Sequence, residues 1–155
     1  MRSLIACLLL PAALLSSCAA PAGGPTDPAS VRPLLAGTWT CNTGAHGIDA
    51  YLEKTFHPDG TAHGFIDLRS GSGGMAVLAP RVPFRSRWKF DADGYLVTYD
   101  VRSAVEGFFA KDFHTRDKIL RANQQRIDFV DVDSGRRFSF RRKAAPAPAP
   151  TTWSL

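Results

Sequence analysis

The chain has 155 residues, which is enough for one domain with a sizeable core and too few for several. Its 19 Lys and Arg residues outnumber its 14 Asp and Glu residues, for a formal net charge of +5 at pH 7. The basic residues are spread along the chain and alternate with apolar ones, as on solvated strand faces. This pattern excludes nucleic acid as an expected partner.

The N-terminal segment has the layout of an export signal. One cation, Arg2, precedes an apolar stretch over residues 4–15. The stretch is too short to span a bilayer, and Pro11 interrupts it. A positive start, a short apolar run and small residues after it are typical of a cleaved signal peptide, which we assign to residues 1–17.

The residues that end this segment, Leu15-Ser16-Ser17-Cys18, resemble the lipobox of bacterial lipoproteins. The resemblance implies that Cys18 receives a thioether-linked diacylglycerol, becomes the new N-terminus and is acylated again, for example with palmitate. Several acyl chains on one residue anchor a protein stably, whereas one chain is marginal. Ala19 stands where an acidic residue would favour inner-membrane retention in enteric bacteria. The expected location is therefore the outer membrane, facing the periplasm; the alternative is a chance cysteine beside an ordinary cleavage site.

The chain has three cysteines. Cys7 would leave with the signal and Cys18 would carry lipid, so Cys41 has no partner within the domain. We therefore expect no intradomain disulfide. Cys41 is interpreted as a small buried residue or a free thiol, with an intermolecular bridge as the alternative in the oxidising periplasm.

Composition divides the rest of the chain into three parts. Residues 18–32 are rich in Pro, Ala and Gly, which predicts a lipidated flexible tether. Residues 33–143 form the predicted globular domain. Residues 144–155 repeat Ala-Pro, which predicts an extended, disordered tail with Trp153 as its one large anchor.

The globular segment alternates apolar and polar residues, as short antiparallel strands do. The sequence His57-Pro58-Asp59-Gly60-Thr61 fits a type I turn with a left-handed glycine. Pairing His57 with Thr61 fixes the register, since a slip of one residue moves every side chain to the other face. This register gives one apolar face: Leu52, Phe56, Ala62, Gly64, Ile66 and Leu68.

A second hairpin is predicted around residues 91–94. A four-residue loop pairs Phe90 with Tyr95 and sets Arg85 opposite Asp100. The predicted apolar face then holds Phe84, Trp88, Phe90, Tyr95, Val97, Tyr99 and Val101.

A third hairpin turns at Ser134-Gly135 and places Asp128 opposite Arg141. Its predicted inward face holds Ile127, Phe129, Phe138 and Phe140. Further strands are expected at residues 36–41, 75–79 and 118–120. The total of about eight short strands predicts an all-β fold, a small antiparallel up-and-down barrel, with a sandwich as the alternative. Closure also removes exposed strand edges.

Short motifs in this segment carry a second resemblance. The stretch Leu35-Ala36-Gly37-Thr38-Trp39 resembles the Gly-x-Trp signature of lipocalins and related calycins. Thr55-Phe56 with Asp59-Gly60-Thr61, and the ending Phe138-Ser139-Phe140-Arg141, are similar to hairpins of bacterial lipocalin-like domains. In that family the Trp packs at the closed end of the barrel beneath an Arg from near the C-terminus. The resemblance therefore implies a structural pair of Trp39 and Arg142, and we carry over no specific ligand.

An aromatic connection follows the second hairpin over residues 103–117. Its apolar residues have near-helical spacing, although Gly107 weakens a helix. It could cap the barrel mouth and, with Met75, Val77 and Leu78, line a cavity for one small ligand. The candidate cavity or lid residues are Trp88, Phe90, Tyr99, Phe108, Phe109 and Phe113. The alternative is that these aromatic rings fill the barrel and leave no cavity.

The sequence contains no recognisable catalytic constellation. The nucleophile motif Gly-x-Ser-x-Gly is absent, and the glycine-rich loop at residues 70–74 lacks the context of a phosphate loop. His57 and His63 lie near Glu53 on the polar face without the further ligands and second shell of a metal site. We therefore predict no catalytic residues, metal or cofactor. A close cluster of ionisable residues inside the barrel would instead favour an enzyme.

The expected function is that of a lipid-anchored envelope protein acting as a non-enzymatic binding module for a small hydrophobic ligand or lipid. The alternative is a protein-interaction role with a filled barrel, as in an inhibitor, an immunity-type lipoprotein or an envelope-assembly accessory. The basic run over residues 136–143 could meet anionic headgroups, but we interpret it as a solvated hairpin edge. The expected partners are thus the membrane, a small ligand and an envelope protein.

Overall fold

The polypeptide forms one helix and eight strands over the residues that the structure, a computed structural model, describes: 26–45, 48–70 and 77–144. The elements are α1 (Pro28–Leu35), β1 (Gly37–Ala45), β2 (Ile48–Phe56), β3 (Thr61–Ser70), β4 (Val77–Phe90), β5 (Leu96–Ser103), β6 (Thr115–Ala122), β7 (Arg126–Asp131) and β8 (Arg137–Arg142).

Each strand pairs antiparallel with the next one along the chain, and β8 pairs with β1 to close a barrel. The predicted all-β, up-and-down barrel of eight strands is confirmed, and closure excludes the sandwich. The turns therefore alternate between two ends. The chain enters at the end that holds the β2–β3, β4–β5 and β6–β7 turns, whereas the β1–β2, β3–β4, β5–β6 and β7–β8 connections lie at the other end.

Helix α1 covers the first of these ends, which we call the closed end. The helix begins inside the segment that the composition assigns to a tether, because Asp27 caps it and Pro28 suits its first turn. The Asp27 Oδ2 accepts a hydrogen bond from the Ser30 amide at 2.9 Å. Val31 and Leu35 have no exposed surface and pack into the core between the strands. The barrel thus has a plug at this end.

Trp39 and Arg142 meet beneath the plug. The Arg142 guanidinium carbon lies 4.3 Å from the centre of the Trp39 ring, and the indole Nε1 donates to the Leu35 carbonyl at 2.8 Å. Arg142 also donates to the carbonyls of Leu34 at 2.6 Å, Ala36 at 2.9 Å and Gln124 at 2.6 Å. The guanidinium therefore ties the helix end to the barrel.

The contact between Trp39 and Arg142 explains why the Gly-x-Trp motif has a glycine at position 37. Gly37 has a φ of +123°, and a Cβ there would overlap the Arg142 guanidinium. Only glycine combines this backbone conformation with such a close approach.

The register of the first hairpin is confirmed, and that of the second was wrong. The His57 amide donates to the Thr61 carbonyl at 2.9 Å, as predicted. In the second hairpin, Phe90 pairs with Leu96 instead of Tyr95. Gly94 has a φ of +81°, close to the +85° of Gly60, so both turns use the same three-residue geometry with a left-handed glycine.

This register changes which β5 side chains face inward. Leu96 and Thr98 are buried, whereas Tyr95 and Tyr99 lie on the outer face beneath cations, Arg116 at 4.3 Å and Lys89 at 5.5 Å from the respective ring centres. The β4–β5 pairing also contains a bulge, so the predicted pairing of Arg85 with Asp100 was wrong. Arg85 lies across from Arg102.

The third hairpin has its predicted inward face but not its predicted charge pair. Phe129 pairs with Phe138, and Ile127 pairs with Phe140. Asp128 lies opposite Ser139, whereas Arg126 lies opposite Arg141. The observed register differs from the predicted one by two residues, so the same side chains face inward in both. The apolar pattern therefore could not distinguish the two registers.

The core gathers near the closed end. Its buried members are Val31, Leu35, Trp39, Cys41, Phe56, Ala62, Trp88, Leu96, Ile119, Ala122, Ile127, Phe129 and Phe140. Cys41 is a free, buried thiol whose pKa is raised by burial. The predicted runs at 36–41, 75–79 and 118–120 coincide with parts of β1, β4 and β6, whereas the aromatic connection between β5 and β6 consists of turns.

Several sequence predictions lie outside the described residues: the signal peptide, Cys18, Met75 and Trp153. The side chains of Val77 and Leu78 are likewise not described. Among the described residues, no helix has the length and apolar character needed to cross a bilayer.

Candidate functional site

A cavity of about 190 Å³ lies inside the barrel between the core and the β5–β6 connection. Most of its lining is apolar, and its polar members come from four strands. The lining residues are Leu52, Lys54, Phe56, Ile66, Phe84, Leu96, Thr98, Val101, Phe109, Phe113, Thr115, Asp117, Phe129, Asp131, Phe138 and Phe140. The cavity exceeds the roughly 150 Å³ that holds a benzene molecule in an engineered apolar cavity.

The β5–β6 connection supplies the outer wall of this cavity. The Phe109 ring packs edge-on against Phe84, with 6.1 Å between ring centres, and lies 5.1 Å from Phe113. Phe113 is 39 % exposed, although it lines the cavity. These two rings belong to turns rather than strands, so few backbone hydrogen bonds hold them in place.

Lys54 brings a cation into the apolar interior. It follows Leu52 and precedes Phe56 on the inward face of β2, and its residue is only 6 % exposed. The ammonium donates to Thr98 Oγ1 at 2.9 Å and lies 4.5 Å from the centre of the Phe56 ring. Burial lowers the pKa of Lys54 to about 8, against the opposing effect of the Asp117 charge.

Asp117 places a carboxylate in the same cavity from β6. It is 6 % exposed, and its Oδ2 accepts from Thr115 Oγ1 at 3.0 Å. Burial raises the pKa of Asp117 to about 6, opposed by the Thr115 hydrogen bond and the Lys54 charge and assisted by Asp131 and Asp133. Its Oδ1 is buried without a hydrogen-bond partner among the described residues.

Together these groups form a polar floor in an apolar pocket. Near pH 7 both Lys54 and Asp117 are mostly ionised, so their charges cancel. Among the described residues the ammonium uses one of its three N–H donors in a hydrogen bond, with Thr98, while one Asp117 oxygen accepts none. A buried polar group without a hydrogen-bond partner destabilises the fold unless a ligand or water supplies that partner. The floor thus offers both a donor and an acceptor to a ligand.

The structure brings only part of the predicted cavity set together. Phe109 and Phe113 line the cavity. Phe108 packs on Phe109 with 4.9 Å between ring centres but is not part of the lining. Trp88 and Phe90 pack against each other near α1, and the Trp88 indole donates to the His57 and Thr61 carbonyls at 3.1 and 3.0 Å.

Tyr99 lies on the outer face, as described for the β5 register. The expectation that Tyr99 lines the cavity depended on the mistaken pairing of Phe90 with Tyr95. The expectation that Trp88 and Phe90 line it depended on treating the whole barrel interior as one cavity. The residues near α1 are core instead.

Sequence reasoning missed Lys54 and Asp117. The signal for Lys54 was present, because it stands at the position between Leu52 and Phe56 that period-two alternation turns inward. Asp117 gave no such signal, since the preceding connection leaves the start of β6 undetermined by pattern. His57 and His63 stack on the outside, with Nε2 and Nδ1 2.9 Å apart, while Glu53 binds Lys143 at 2.8 Å.

The described residues contain no group of three or more His, Cys, Asp or Glu side chains placed to hold a metal ion. No protein-family model matches the chain, and no curated protein shows significant sequence similarity to it.

Proposed function

We propose that this barrel binds one small, neutral amphiphile in its interior, with the apolar part among the Phe rings and the polar head on Lys54 and Asp117. The observation that carries the proposal is the 190 Å³ cavity lined by Asp117, one of whose carboxylate oxygens has no hydrogen-bond partner in the described part of the chain. The volume suits a ligand of roughly six to ten non-hydrogen atoms. A hydroxyl or amide head both donates and accepts, which matches a floor whose two charges cancel.

The proposal is tested by calorimetric titration of the full chain with 1-hexanol. Burying about six methylenes at ~0.8 kcal/mol each gives roughly 5 kcal/mol, which is a Kd of a few tenths of a millimolar. We expect Ile66→Phe, which fills the cavity, to weaken binding at least tenfold. Leu120→Phe adds the same ring at a position of β6 that is 38 % exposed and should leave the Kd unchanged. Absence of binding, or equal loss in both variants, would overturn the proposal.

The role of the polar floor is tested by comparing 1-hexanol with hexane. We expect the alcohol to bind at least fivefold more tightly to the native chain, and the double variant Lys54→Met with Asp117→Asn to lose this preference while still binding hexane. Mass spectrometry of protein purified from its host should identify the natural occupant as a small amphiphile.

The rim of the open end suits the passage of such a ligand. Of the five exposed large hydrophobic residues described, four belong to connections or strand ends at this rim: Ile48, Val105, Phe113 and Val132. An apolar rim around a mouth is also a surface that a protein partner would cover. In a pull-down from envelope extract, a partner that blocks 1-hexanol binding would favour the protein-interaction alternative.

The ionisable pair in the cavity favours a second candidate, an acid–base enzyme. Asp117 with a pKa of about 6 and Lys54 with a pKa of about 8 resemble the tuned pairs of catalytic sites. Such an enzyme would be most active between these two values, where the carboxylate is a base and the ammonium an acid. Conversion of the co-purified molecule on incubation, lost in Asp117→Asn, would support catalysis. An unchanged molecule would support simple binding.

We also propose that the barrel is a lipocalin-like domain held in the bacterial envelope by lipid on Cys18. The closed eight-stranded barrel with Trp39 and Arg142 in contact at its plugged end supports the first part, and the sequence Leu15-Ser16-Ser17-Cys18 supports the second. Growth on labelled palmitate should label the native chain and leave a Cys18→Ser variant unlabelled. Equal labelling of both chains, or of neither, would contradict the anchor.

A further inference from the structure

A second concave site lies on the outside of the barrel, away from the interior cavity. It is an open groove of about 470 Å³ across β3, β4 and β5. Its lining is dominated by basic and polar side chains: His57, Thr61, Ala62, His63, Arg85, Ser86, Arg87, Asp100 and Arg102. We call it the outer groove.

The strand register aligns its cations side by side. His63 pairs with Arg85 across β3 and β4, and Arg85 pairs with Arg102 across β4 and β5. Like charges directly opposite one another destabilise a sheet. Asp100 binds Arg102 at 2.8 Å on the exposed surface, but among the described residues Arg85 and Arg87 have no ion pair. The groove therefore holds positive charge that the protein does not neutralise.

The two histidines add a hydrogen-bond donor beside these guanidinium groups. His57 Nε2 and His63 Nδ1 are 2.9 Å apart, and the rings stack with 4.9 Å between their centres. This contact leaves His57 Nδ1 and His63 Nε2 without a hydrogen bond within the described part of the chain. Because one ring of a neutral pair donates to the other, one of these two outer nitrogens carries a proton that can be donated to a ligand.

The backbone beside these cations is also unusual. Ser86 lies between Arg85 and Arg87 in sequence but on the inward face of β4, like Phe84 and Trp88. The β4–β5 bulge beside it holds Asp100 at a φ of +50°, a conformation that residues with side chains seldom adopt. Bulges and such backbone conformations concentrate at functional sites.

We propose that the outer groove binds a phosphate group. Two guanidinium groups and an imidazole N–H offer more donors than the two oxygens of a carboxylate can accept, and they suit the three free oxygens of a phosphate monoester. Arginine in particular pairs with phosphate through two parallel hydrogen bonds. The phosphate neutralises the aligned cations and gives Arg85 and Arg87 an ionic partner.

Phosphate binding to the outer groove can be measured in the full chain from the NMR signals of the histidine rings. The sequence has four, His46, His57, His63 and His114, so the ring C2 proton signals of the other two serve as internal references. At fixed pH and ionic strength, inorganic phosphate should shift the signals of His57 and His63, and chloride should not. Equal shifts of all four histidines would mean non-specific screening and would overturn the site.

A matched pair of double variants locates the binding. Arg85→Gln with Arg87→Gln should weaken phosphate binding at least tenfold. Arg121→Gln with Arg137→Gln removes two other exposed arginines and should change it less than twofold. Equal weakening by the two double variants would overturn the proposal, provided that both retain the native dispersion of amide signals.

A last comparison distinguishes the source of the phosphate. Vesicles with and without phosphatidic acid, whose headgroup is a phosphate monoester, are sedimented with the native chain and both double variants. Loss of lipid-dependent sedimentation in the groove variant alone identifies a headgroup phosphate. Sensitivity to inorganic phosphate without groove-dependent sedimentation identifies a soluble phosphate compound. Absence of both overturns the proposal, and neither result depends on ligand binding inside the barrel.

Discussion

The two halves of the barrel differ in how fully their buried polar groups are hydrogen-bonded. At the closed end, the Trp39 indole and the Arg142 guanidinium each bind backbone carbonyls, and the surrounding apolar side chains are fully buried. In the open half, one Asp117 carboxylate oxygen has no hydrogen-bond partner among the described residues, and the interior contains a cavity. The hydrogen bonds of the polar groups at the closed end stabilise the fold. In the open half, polar groups without partners among the described residues remain available to bind a ligand.

The largest effect is expected from Trp39→Ala at the closed end. Truncating a fully buried aromatic residue in a core costs about 3–5 kcal/mol, and here the Leu35 carbonyl also loses its indole partner. Urea unfolding of the variant should show this loss in the free energy of unfolding, with Trp39→Phe at an intermediate value. A loss below about 1 kcal/mol for the alanine variant would refute the view that stability is concentrated at this end.

A slightly smaller loss, about 2–4 kcal/mol, is expected from Arg142→Lys. The charge is kept, but an ammonium cannot bind the carbonyls of Leu34, Ala36 and Gln124 together or stack flat on Trp39. The same denaturation experiment measures the loss, and Arg141→Lys, on the exposed face of β8, should change stability by less than about 0.5 kcal/mol. A loss for Arg142→Lys as small as that expected for Arg141→Lys would mean that the charge alone matters and the guanidinium geometry does not.

The first hairpin and the second show how far the sequence could predict this molecule. Both turns end in Asp-Gly at matching positions, and Gly60 and Gly94 adopt the same backbone conformation. The first was predicted correctly because only one register gives an apolar face. In the second, Tyr95 and Leu96 offer apolar side chains to both faces of β5, so alternation could not choose between registers.

The open half was harder to predict for a related reason. Its polar floor consists of single residues inside otherwise apolar strands, and pattern analysis treats such residues as interruptions. The strand count, the barrel and the Trp39–Arg142 contact depend on repeated or paired features and could be predicted. The cavity depends on volume left between side chains, which no periodicity records.

The third prediction concerns Asp117 and its dependence on pH. Its pKa is raised from 3.8 to about 6 in the folded protein, so the folded state binds more protons than the unfolded state between these values. The contribution of this residue to stability is therefore full below pH 3.8 and is lost as the pH rises through about 6. Between pH 4 and 7 the free energy of unfolding of the native chain should fall by about 2–3 kcal/mol relative to Asp117→Asn. If the free energies of unfolding of the native chain and Asp117→Asn changed with pH in parallel, Asp117 would not be buried as an ionised carboxylate.

The smallest effect on stability is expected from Phe109→Ala in the β5–β6 connection. The ring is only half-buried and packs against its neighbours in turns, so the loss should be about 1 kcal/mol or less. The exchange rate of 1-hexanol, measured by NMR line shape, should nevertheless rise at least fivefold, because this ring covers the cavity. A large loss of stability without faster exchange would make the connection part of the core rather than a lid.

The plug at the closed end also determines how an anchored molecule would be oriented. Eight residues lie between the proposed lipid site at Cys18 and the helix cap at Asp27, and this stretch spans at most about 30 Å when fully extended. The plugged end then stays within that distance of the bilayer to which the chain is attached. A mouth directed away from the bilayer would exchange its ligand with the aqueous compartment or with an approaching protein.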